Sequence, residues 1–577
     1  MPQAVAAVAA WATAEFVAIT GSTSLIAASA VYASVYAATA YAAYTGLNYG
    51  LTAIQGGGAP SSSSQGQLVS NAAAVAPNRH VIGRARVAGV TAWQGSFAWR
   101  QSDELNQGFG QAQVLSSTPI TEIEGFYSAD VLLEGVAAKY PYAITPPFHA
   151  VPVDIPDTLA ANMLPYNKDQ DANQSRLYYR GTIGSDPGER DPLLGFFADM
   201  PWQPLISSPN PDAPGDVKFW PDTNRADGLA MLYSAAFQDV NSFPQGPPRM
   251  SAVVKGIKAY DPRDVDQDVD DPETWAFTQN PAILAAWYVT RPFSFNVPYS
   301  DINLEALIAA ANACDVQVET FASTGAAGDP PMEPRFFCGG EIVENDSRDA
   351  TLAAICASMA GSWCVVGGTW YFYAGAYSEP TETIDGSWIM RNVEFTAQRS
   401  RLQLYNTVQG SFVSEARRWQ AAPFPQVQDP ALLALDNGVE IYETADLAFV
   451  QSHTVAQRVT LIELRRTHKP RSFKFETPIG FAMRLTTGMT VSLTQADYGI
   501  DDVPFRVTSW ELGEQDESGQ IWATITLDED GADIYDVDLA DLQDADALSP
   551  PDPEGGGLDT GSAPADPPTG DGETVVL

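Results

Sequence analysis

Positive charge is what this sequence lacks most. No lysine or arginine occurs before Arg79 or after Arg506, and the chain has 31 basic against 71 acidic residues, a formal net charge of −40. A secretory signal peptide needs a basic segment before its apolar core, so the opening sequence MPQAVAA does not fit one. The acidity also argues against nucleic-acid binding along the outer surface, because phosphate groups would be repelled.

Motifs of the common enzyme classes are missing as well. The sequence contains no HExxH, no GxSxG and no phosphate-binding loop, and its four histidines are far apart: His80, His149, His453 and His468. Carboxylate pairs are so frequent in this acidic chain that none of them indicates glycosidase chemistry. We therefore expect a component of an assembly rather than an enzyme, with no catalytic residue, cofactor or metal site.

Cysteine is scarce and confined to one stretch of the chain, which contains Cys314, Cys338, Cys356 and Cys364. No Cys-x-x-Cys pair occurs and no histidine lies among the four, so the short ligand spacings of a zinc site are absent. Buried reduced thiols are the first interpretation, a disulfide the second and metal binding the third.

The amino-terminal region, by contrast, contains a long apolar run. Residues 4–54 are rich in Ala, Ser, Thr, Gly and Tyr, and Glu15 is their only charge. We interpret residues 1–55 as a helical hairpin that turns at Gly21 and Ser22, because small residues let helices pack closely. The length also fits two membrane-spanning helices, so a resident membrane anchor is an alternative.

The chain beyond this run alternates between β-rich and mixed regions. The uncharged stretch GGGAPSSSSQGQ marks a flexible linker, and the last 50 residues are acidic and rich in Gly and Pro. We expect an α+β, mostly β, multi-domain protein. Its predicted parts are a helical hairpin (1–55), a linker (56–78), a β-rich region (79–263), a mixed α/β region (264–375), a second β-rich region (376–527) and an acidic tail (528–577).

One predicted strand carries an unusual concentration of basic residues. RHVIGRARVAG (79–89) alternates, with Val81, Gly83, Ala85 and Val87 on one face and basic side chains on the other. The interaction candidates on this strand are Arg79, His80, Arg84 and Arg86. They either contact an acidic partner or are solvated or paired within the chain.

Helix signals are strongest between residues 275 and 375. Asn280-Pro281 predicts the start of one helix, Ser300 or Asp301 caps a second over Ile302–Cys314, and Asp346 or Ser347 caps a third. Gly367-Gly368 then predicts a two-residue hairpin turn. A longer helix is expected further on, at about Ala445–Arg466, with a basic carboxyl end.

Seven stretches together carry a resemblance to one protein family. They are RHVIGRARVAG (79–89), PPRMSAVVKGIKAYDPR (247–263), WAFTQNPAILAAWYVT (275–290), LIAAANACD (307–315), FFCGGEIVENDSRDATLAAICASMAGSWCVVGGTWYFYAGAY (336–377), NTVQGSFV (406–413) and PFRVTSWEL (504–512). In this order and spacing they resemble the central tail hub, or tip attachment protein J, family of lambda-type long-tailed, non-contractile phages.

That resemblance implies a structural protein of the virion, at the distal end of the tail. In such hubs, barrel-like β-domains of a homotrimer form a ring that closes the tail tube and opens for DNA ejection when the phage adsorbs to its host. The implied partners are further copies of the chain, the distal tail protein and other tail-tip or baseplate proteins, the tape measure protein and a receptor-binding fibre or tip protein. DNA would pass transiently through an acidic lumen, and the chain would be made in the host cytoplasm.

The resemblance also gives the apolar run a role. Three hairpins would pack as a six-helix bundle, with Tyr32, Tyr36 and Tyr41 supplying aromatic packing at helical intervals. Contact of residues 4–54 with the host membrane on ejection is an overlapping alternative. Lambda-type relatives continue into receptor-binding parts where this chain has its acidic stretch, so we expect a separate protein to bind the receptor.

Two other functional classes stay open at this point. The first is an envelope-degrading enzyme at the tail tip, either a glycan hydrolase or a peptidase. The second is an extracellular adhesin unrelated to phages, which would need a signal peptide.

Overall fold

The structure of the chain, a computed structural model, describes only part of its length. The described residues are 76–99, 108–128, 131–132, 177–184, 202–204, 226, 228–237, 249–321, 331–398, 404–515 and 520–544. The amino-terminal run with Tyr32, Tyr36 and Tyr41 and the residues after 544 therefore lie outside them. The predicted hairpin, bundle and membrane contact stay predictions.

Strands dominate the described residues, so the fold is mostly β with few helices. In chain order they are β1 (Arg79–Ile82), β2 (Arg84–Val87), β3 (Val90–Trp99), β4 (Gly108–Ser116), β5 (Glu122–Ser128), β6 (Val131–Leu132), β7 (Leu177–Thr182), β8 (Trp202–Pro204), β9 (Ala230–Phe237), β10 (Met250–Lys255), β11 (Lys258–Ala259), β12 (Ala276–Phe277), β13 (Gln317–Glu319), β14 (Met332–Pro334), β15 (Gly340–Val343), β16 (Ser362–Val366), β17 (Thr369–Tyr373), β18 (Glu382–Asp385), β19 (Arg391–Thr396), β20 (Thr407–Ser414), β21 (Gln420–Gln428), β22 (Tyr442–Leu447), β23 (Ser472–Pro478), β24 (Thr490–Gln495), β25 (Ile500–Gln515) and β26 (Ile521–Glu529).

The helices are short, apart from one. They are α1 (Pro281–Thr290), α2 (Leu304–Asp315), α3 (Arg348–Ala357), α4 (Pro430–Leu435), α5 (His453–His468), α6 (Ile479–Ala482) and α7 (Ala532–Tyr535). Turns of 3₁₀ helix lie at Pro272–Thr274, Tyr299–Asp301, Ala496–Tyr498 and Leu539–Asp541.

Several local predictions are confirmed. The Asn280 side chain accepts hydrogen bonds from two amides of α1, and Pro281 is the first residue of that helix. Ser347 caps α3 by accepting from the amide of Ala350. Gly367 and Gly368 both have positive φ, as the two-residue turn between β16 and β17 requires.

Two helix starts were predicted wrongly. The second helix begins at Leu304 with Asn303 as its cap, because Tyr299–Asp301 forms a separate 3₁₀ turn. The helix expected at about Ala445–Arg466 begins only at His453, after the Ser452 cap. The residues around Ala445 pair in parallel with β20 instead, so sheet formation displaces the first part of the expected helix.

The single strand expected over residues 79–89 is also divided. Gly83 has φ +55° and separates β1, which pairs with β15, from β2, which pairs with β10. The chain thus leaves one sheet and enters another at this glycine. Val81, Ala85 and Val87 are buried, as the expected apolar face requires, but His80 and Arg86 on the expected basic face are buried as well.

The largest core surrounds α1. Nine residues of this helix, Pro281 to Val289, are buried, so it is covered on every side rather than along one stripe. It packs against α2 and α3, and the same cluster of buried residues extends to Phe449 and the inner face of α5. A smaller core lies on the sheet β2-β10-β5-β6.

A separate hydrophobic core packs against one face of a six-stranded sheet of order β18-β24-β25-β26-β23-β19. Its two outer strands are joined by residues 386–390, and a turn from Asp385 to Trp388 shortens this link. The two ends of this link are at most about 18 Å apart. The turn spans under about 7 Å between its first and last Cα atoms, and the three residues after it add under about 11 Å of extended chain. In a flat sheet, five spacings of about 4.8 Å between neighbouring strands would place the two outer strands about 24 Å apart. The sheet must therefore curl so that its two edges approach each other.

Candidate functional site

The basic residues singled out in the sequence lie where two sheets meet. At this junction Gly83, Gly256 and Gly339 bring three backbone segments into close contact. A Cβ on Gly83 would overlap the carbonyl oxygen of Cys338, and one on Gly256 would overlap that of Val81. The glycines therefore let β1 and β2 cross the neighbouring strands and fix where the four basic side chains point.

Arg79 forms an ion pair inside the junction. Its Nη1 donates to both carboxylate oxygens of Glu341, at 3.0 and 3.1 Å, and the Glu341 side chain is 7% exposed. Burial raises the pKa of Glu341, and the adjacent guanidinium of Arg79 opposes that rise. The pair links β1 to β15 by side chains as well as by the backbone ladder.

His80 is almost completely buried beside it. Its ring stacks on Phe293 with centroids 4.1 Å apart, Nε2 lies 3.0 Å from Glu344, and Nδ1 lies 3.4 Å from the Thr118 hydroxyl. Burial lowers the pKa of His80, and the hydrogen bond to Glu344 partly opposes this shift. The neutral imidazole is therefore the form that the fold favours.

Stability should consequently fall when His80 gains a proton. A histidine whose pKa is lowered on folding contributes fully above its unfolded value near 6.5, and that contribution is lost as the pH falls below it. We expect His80→Gln to reduce the loss of unfolding free energy between pH 6.5 and 5.0, by at most about 2 kcal/mol for one proton. Urea unfolding at a series of pH values measures this.

The matched control is His468→Gln, which makes the same replacement in a half-buried histidine at the end of α5 and leaves His80 in place. It should keep the acid-dependent loss of the unsubstituted protein. An identical pH profile for His80→Gln and the unsubstituted protein would contradict the assignment.

The guanidinium groups of Arg84 and Arg86 make hydrogen bonds and a ring contact with residues of neighbouring strands and loops. Arg84 donates to Glu124 and, at 2.5 Å, to Glu415. Arg86 donates to the Ser251 hydroxyl at 2.9 Å, and its guanidinium lies 4.0 Å from the centre of the Tyr127 ring. Such a cation–π contact is favourable in a buried setting.

All four basic residues thus make contacts within the chain, which is one of the alternatives stated from the sequence. The acidic partners of Arg79, His80 and Arg84 come from three separate places: β15 with its following loop, β5, and the turn after β20. The junction thus links neighbouring sheets through side chains as well as backbone. Contact of these residues with an acidic partner protein stays a prediction.

The four cysteines are free thiols in the structure. Cys314, Cys338 and Cys356 are buried and Cys364 is half-buried, so the interpretation as buried reduced thiols holds for the first three. Burial raises the pKa of each thiol, to about 12 for Cys338 and Cys364. Within the described ranges no group of three His, Cys, Asp or Glu side chains is arranged to hold a metal ion.

Sequence reasoning missed a buried ion pair on α5. The Arg458 side chain is 2% exposed, and it donates to the Arg335 carbonyl at 2.8 Å and to Glu333 at 3.2 Å. Glu333 also accepts hydrogen bonds from Ser452 and Thr454 at the start of the helix. The available signal was a lone arginine between Val455 and Val459, inside the apolar stripe of the predicted helix.

Among the described residues, no helix combines the length and the apolar composition that crossing a bilayer requires.

Comparison with solved structures identifies the fold. A chain of the virion of a native gene transfer agent particle matches 90% of this chain and 100% of its own length, with a TM-score of 0.54 and 12% sequence identity. A 43 kDa tail protein of prophage MuSo2 from Shewanella oneidensis matches 54% of this chain and 76% of its own, with a TM-score of 0.27 and 15% identity. A tail protein from Neisseria meningitidis matches 54% of this chain and 79% of its own length, with a TM-score of 0.28 and 11% identity.

No protein-family profile and no curated protein sequence matches this chain. The structural likeness to the gene transfer agent chain therefore establishes a shared fold. It extends across 90% of this chain and all of the other.

Proposed function

We propose that this chain is a structural, non-enzymatic component of a phage-type tail, and that it forms the central hub at the tail tip. The observation that supports it most is the likeness to a chain of the gene transfer agent virion over 90% of this chain and all of the other. In this proposal the chain closes the distal end of the tail tube and opens it for DNA ejection on adsorption to the host. It belongs to the tip attachment protein J type of lambda-like phages.

The curled six-stranded sheet supports the barrel-like part of the proposal. Its inner side is filled by one continuous core that includes Phe473, Phe475, Phe505 and Ile525. In β23 buried and half-buried residues alternate, as expected when one face of a curved sheet encloses a core. A ring of three chains would cover the free edges β18 and β19, which otherwise invite unwanted strand pairing.

Charge supports the proposed passage of DNA. With a net charge of −40, a channel lined by this chain repels phosphate, so DNA slides past without binding.

The proposed partners are two further copies, the distal tail protein and other tail-tip proteins, the tape measure protein and a separate receptor-binding fibre or tip protein. The proposal for residues 4–54 is a helical bundle in the virion, with contact to the host membrane on ejection as the overlapping alternative.

The oligomeric state gives a direct test. Three chains of 61.9 kDa predict a particle of about 186 kDa for the purified full-length protein in light scattering after size exclusion. A monomer or a dimer at every concentration tested would contradict the hub. Zymography on host peptidoglycan tests the alternative of a glycan hydrolase or peptidase, for which a clearing band lost on one carboxylate substitution is the expected sign.

A further inference from the structure

The three-stranded sheet of order β21-β20-β22 has an open side at β22. This strand pairs in parallel with β20, and within the described residues no strand pairs with its other side. The Ile441 carbonyl accepts a hydrogen bond from the Thr407 amide, so every second residue from 442 onward directs its backbone groups away from β20. The residues that face the open side are Tyr442, Thr444 and Asp446. A row of N–H and C=O groups at a sheet edge is a template for one more strand.

Large apolar side chains are exposed beside this open side. Residues 435–442 contain four of them: Leu435 (69% exposed), Val439 (61%), Ile441 (39%) and Tyr442 (50%). Single exposed apolar residues are ordinary on a protein surface, whereas a group of them marks a contact site. The start of β22 and the turn before it therefore have the composition of an interface.

A groove lies within the same group of residues. Its volume is about 270 Å³, and it is lined by three apolar residues, Leu404, Val439 and Ile441, and by two polar ones, Asp436 and Asn437. Pockets for small-molecule ligands are usually larger, about 300–1,000 Å³. The groove is better suited to one large side chain of a strand that lies along β22.

The surroundings of the groove are acidic. Glu440 is exposed, and its carboxylate accepts hydrogen bonds from the uncharged side chains of Tyr442 and Gln428. Residues 419–457 contain no lysine or arginine but five carboxylates: Asp429, Asp436, Glu440, Glu443 and Asp446. A partner that covers this surface must therefore supply positive charge, because a buried carboxylate without a cation is unfavourable.

The same charge makes this chain a poor occupant of its own sheet edge. A second copy would bring the same carboxylates to the surface, and the whole chain has a net charge of −40. Residues 1–78 and 507–577 contain no lysine or arginine, so neither terminal segment supplies the missing cations. The surface fits a segment of a different protein that has both basic and large apolar side chains.

We propose that β22 accepts such a segment, in extended conformation, as a further strand of the sheet. The backbone of the segment pairs with the open side of β22, one apolar side chain enters the groove beside Val439, and its cations lie near Glu440 and Glu443. In this mode of binding main-chain hydrogen bonds give affinity and side-chain pockets give specificity. The inference goes beyond the proposed function, because a chain that forms no hub can still bind the segment.

Fluorescence anisotropy with the full-length protein and a labelled peptide tests this binding. The probe is the octapeptide Lys-Val-Lys-Leu-Lys-Val-Lys-Leu, and its control is the same peptide with every backbone amide methylated. The control keeps the charge and the side chains but cannot donate strand hydrogen bonds, so we expect it to bind at least about ten-fold more weakly. Equal binding of the two peptides, or binding of neither, would overturn the proposal.

Two single variants test the groove and the strand edge. Val439→Ser changes an exposed side chain and should weaken binding of the probe by about five-fold, because the groove loses an apolar wall. Thr444→Pro removes one outward N–H, which an edge strand tolerates, and should weaken binding similarly. The matched control is Val265→Ser, in a side chain 95% exposed between two aspartates of another loop. Equal affinities for all three variants would contradict binding at β22.

A double variant tests the charge. Glu440→Gln with Glu443→Gln should weaken binding of the probe by about five-fold, whereas Asp264→Asn with Asp266→Asn removes the same charge elsewhere and should leave binding nearly unchanged. Equal losses in the two double variants would mean that the peptide binds the acidic surface without preference.

Size exclusion with saturating probe separates a foreign segment from a second copy. We expect the oligomeric state to stay the same when the peptide binds. Dissociation of an oligomer by the peptide, with the same dissociation caused by Val439→Ser, would show that a second copy occupies β22 and would overturn the proposal. Failure of the hub has a different sign, since it shows as the absence of a trimer whether or not the peptide binds.

Discussion

Gly83→Ala is expected to lower the free energy of unfolding by about 4 kcal/mol or to prevent folding altogether. Two unfavourable effects add at this residue, namely backbone strain and steric overlap. Its φ of +55° is strained for any residue with a Cβ, and that Cβ would overlap the Cys338 carbonyl oxygen and lie 2.8 Å from the Gly339 Cα. The atoms in the way belong to the backbone, so no side-chain rotation relieves the overlap. Urea unfolding followed by tryptophan fluorescence measures the effect.

Gly367→Ala separates the two costs. Gly367 has nearly the same φ, +61°, but nothing lies within 4 Å of the added methyl group in the turn between β16 and β17. We expect this control to cost only about 1–2 kcal/mol, the backbone strain alone. Equal costs for the two variants would mean that the close crossing at Gly83 does not hold the junction together.

Arg458→Met is expected to lower the free energy of unfolding by about 3 kcal/mol, because it leaves the Glu333 carboxylate, which is only 13% exposed, without its cation. Methionine fills a similar volume, so the loss reports the ion pair more than a cavity. Glu333 keeps the hydroxyl groups of Ser452 and Thr454, which limits the cost without removing it. Thermal and urea unfolding give the free-energy difference.

A double-mutant cycle assigns this loss to the pair. Glu333→Gln in the Arg458→Met background removes the unpaired charge, and we expect the combined cost to fall below the sum of the single costs by about 1–2 kcal/mol. Lys474→Met is the control, since its contact with Glu394 is 4.0 Å long and exposed, and we expect it to cost less than about 0.5 kcal/mol. Additive costs for Arg458 and Glu333 would contradict the buried pair.

Local signals in the sequence predicted the elements that depend on neighbouring residues. The Asn280-Pro281 start of α1 and the Gly367-Gly368 turn are each determined within a few residues, and both are confirmed. The predictions that were wrong concern elements whose structure depends on contacts distant in the sequence. The division of the first strand at Gly83 and the strand at Ala445 both depend on partners far along the chain, so local patterns could not show them.

The candidate site was predictable only in part for the same reason. The basic residues Arg79 and Arg84 stood out by their spacing and sign in an acidic chain. Their partners Glu341 and Glu415 lie 262 and 331 residues away, and any of the many carboxylates could have been chosen from the sequence. Residues 530–544 were assigned to the acidic tail from their composition, and their contacts with Gln457 and Arg465 form only after folding.

Immunogold electron microscopy on particles from a lysate, with antibody against the carboxyl-terminal sequence of this chain, tests the central claim most directly. The account predicts label on virus-like particles, confined to the far end of the tail. Particles without label, or label along the whole tail, would contradict the assignment of this chain to the tail tip.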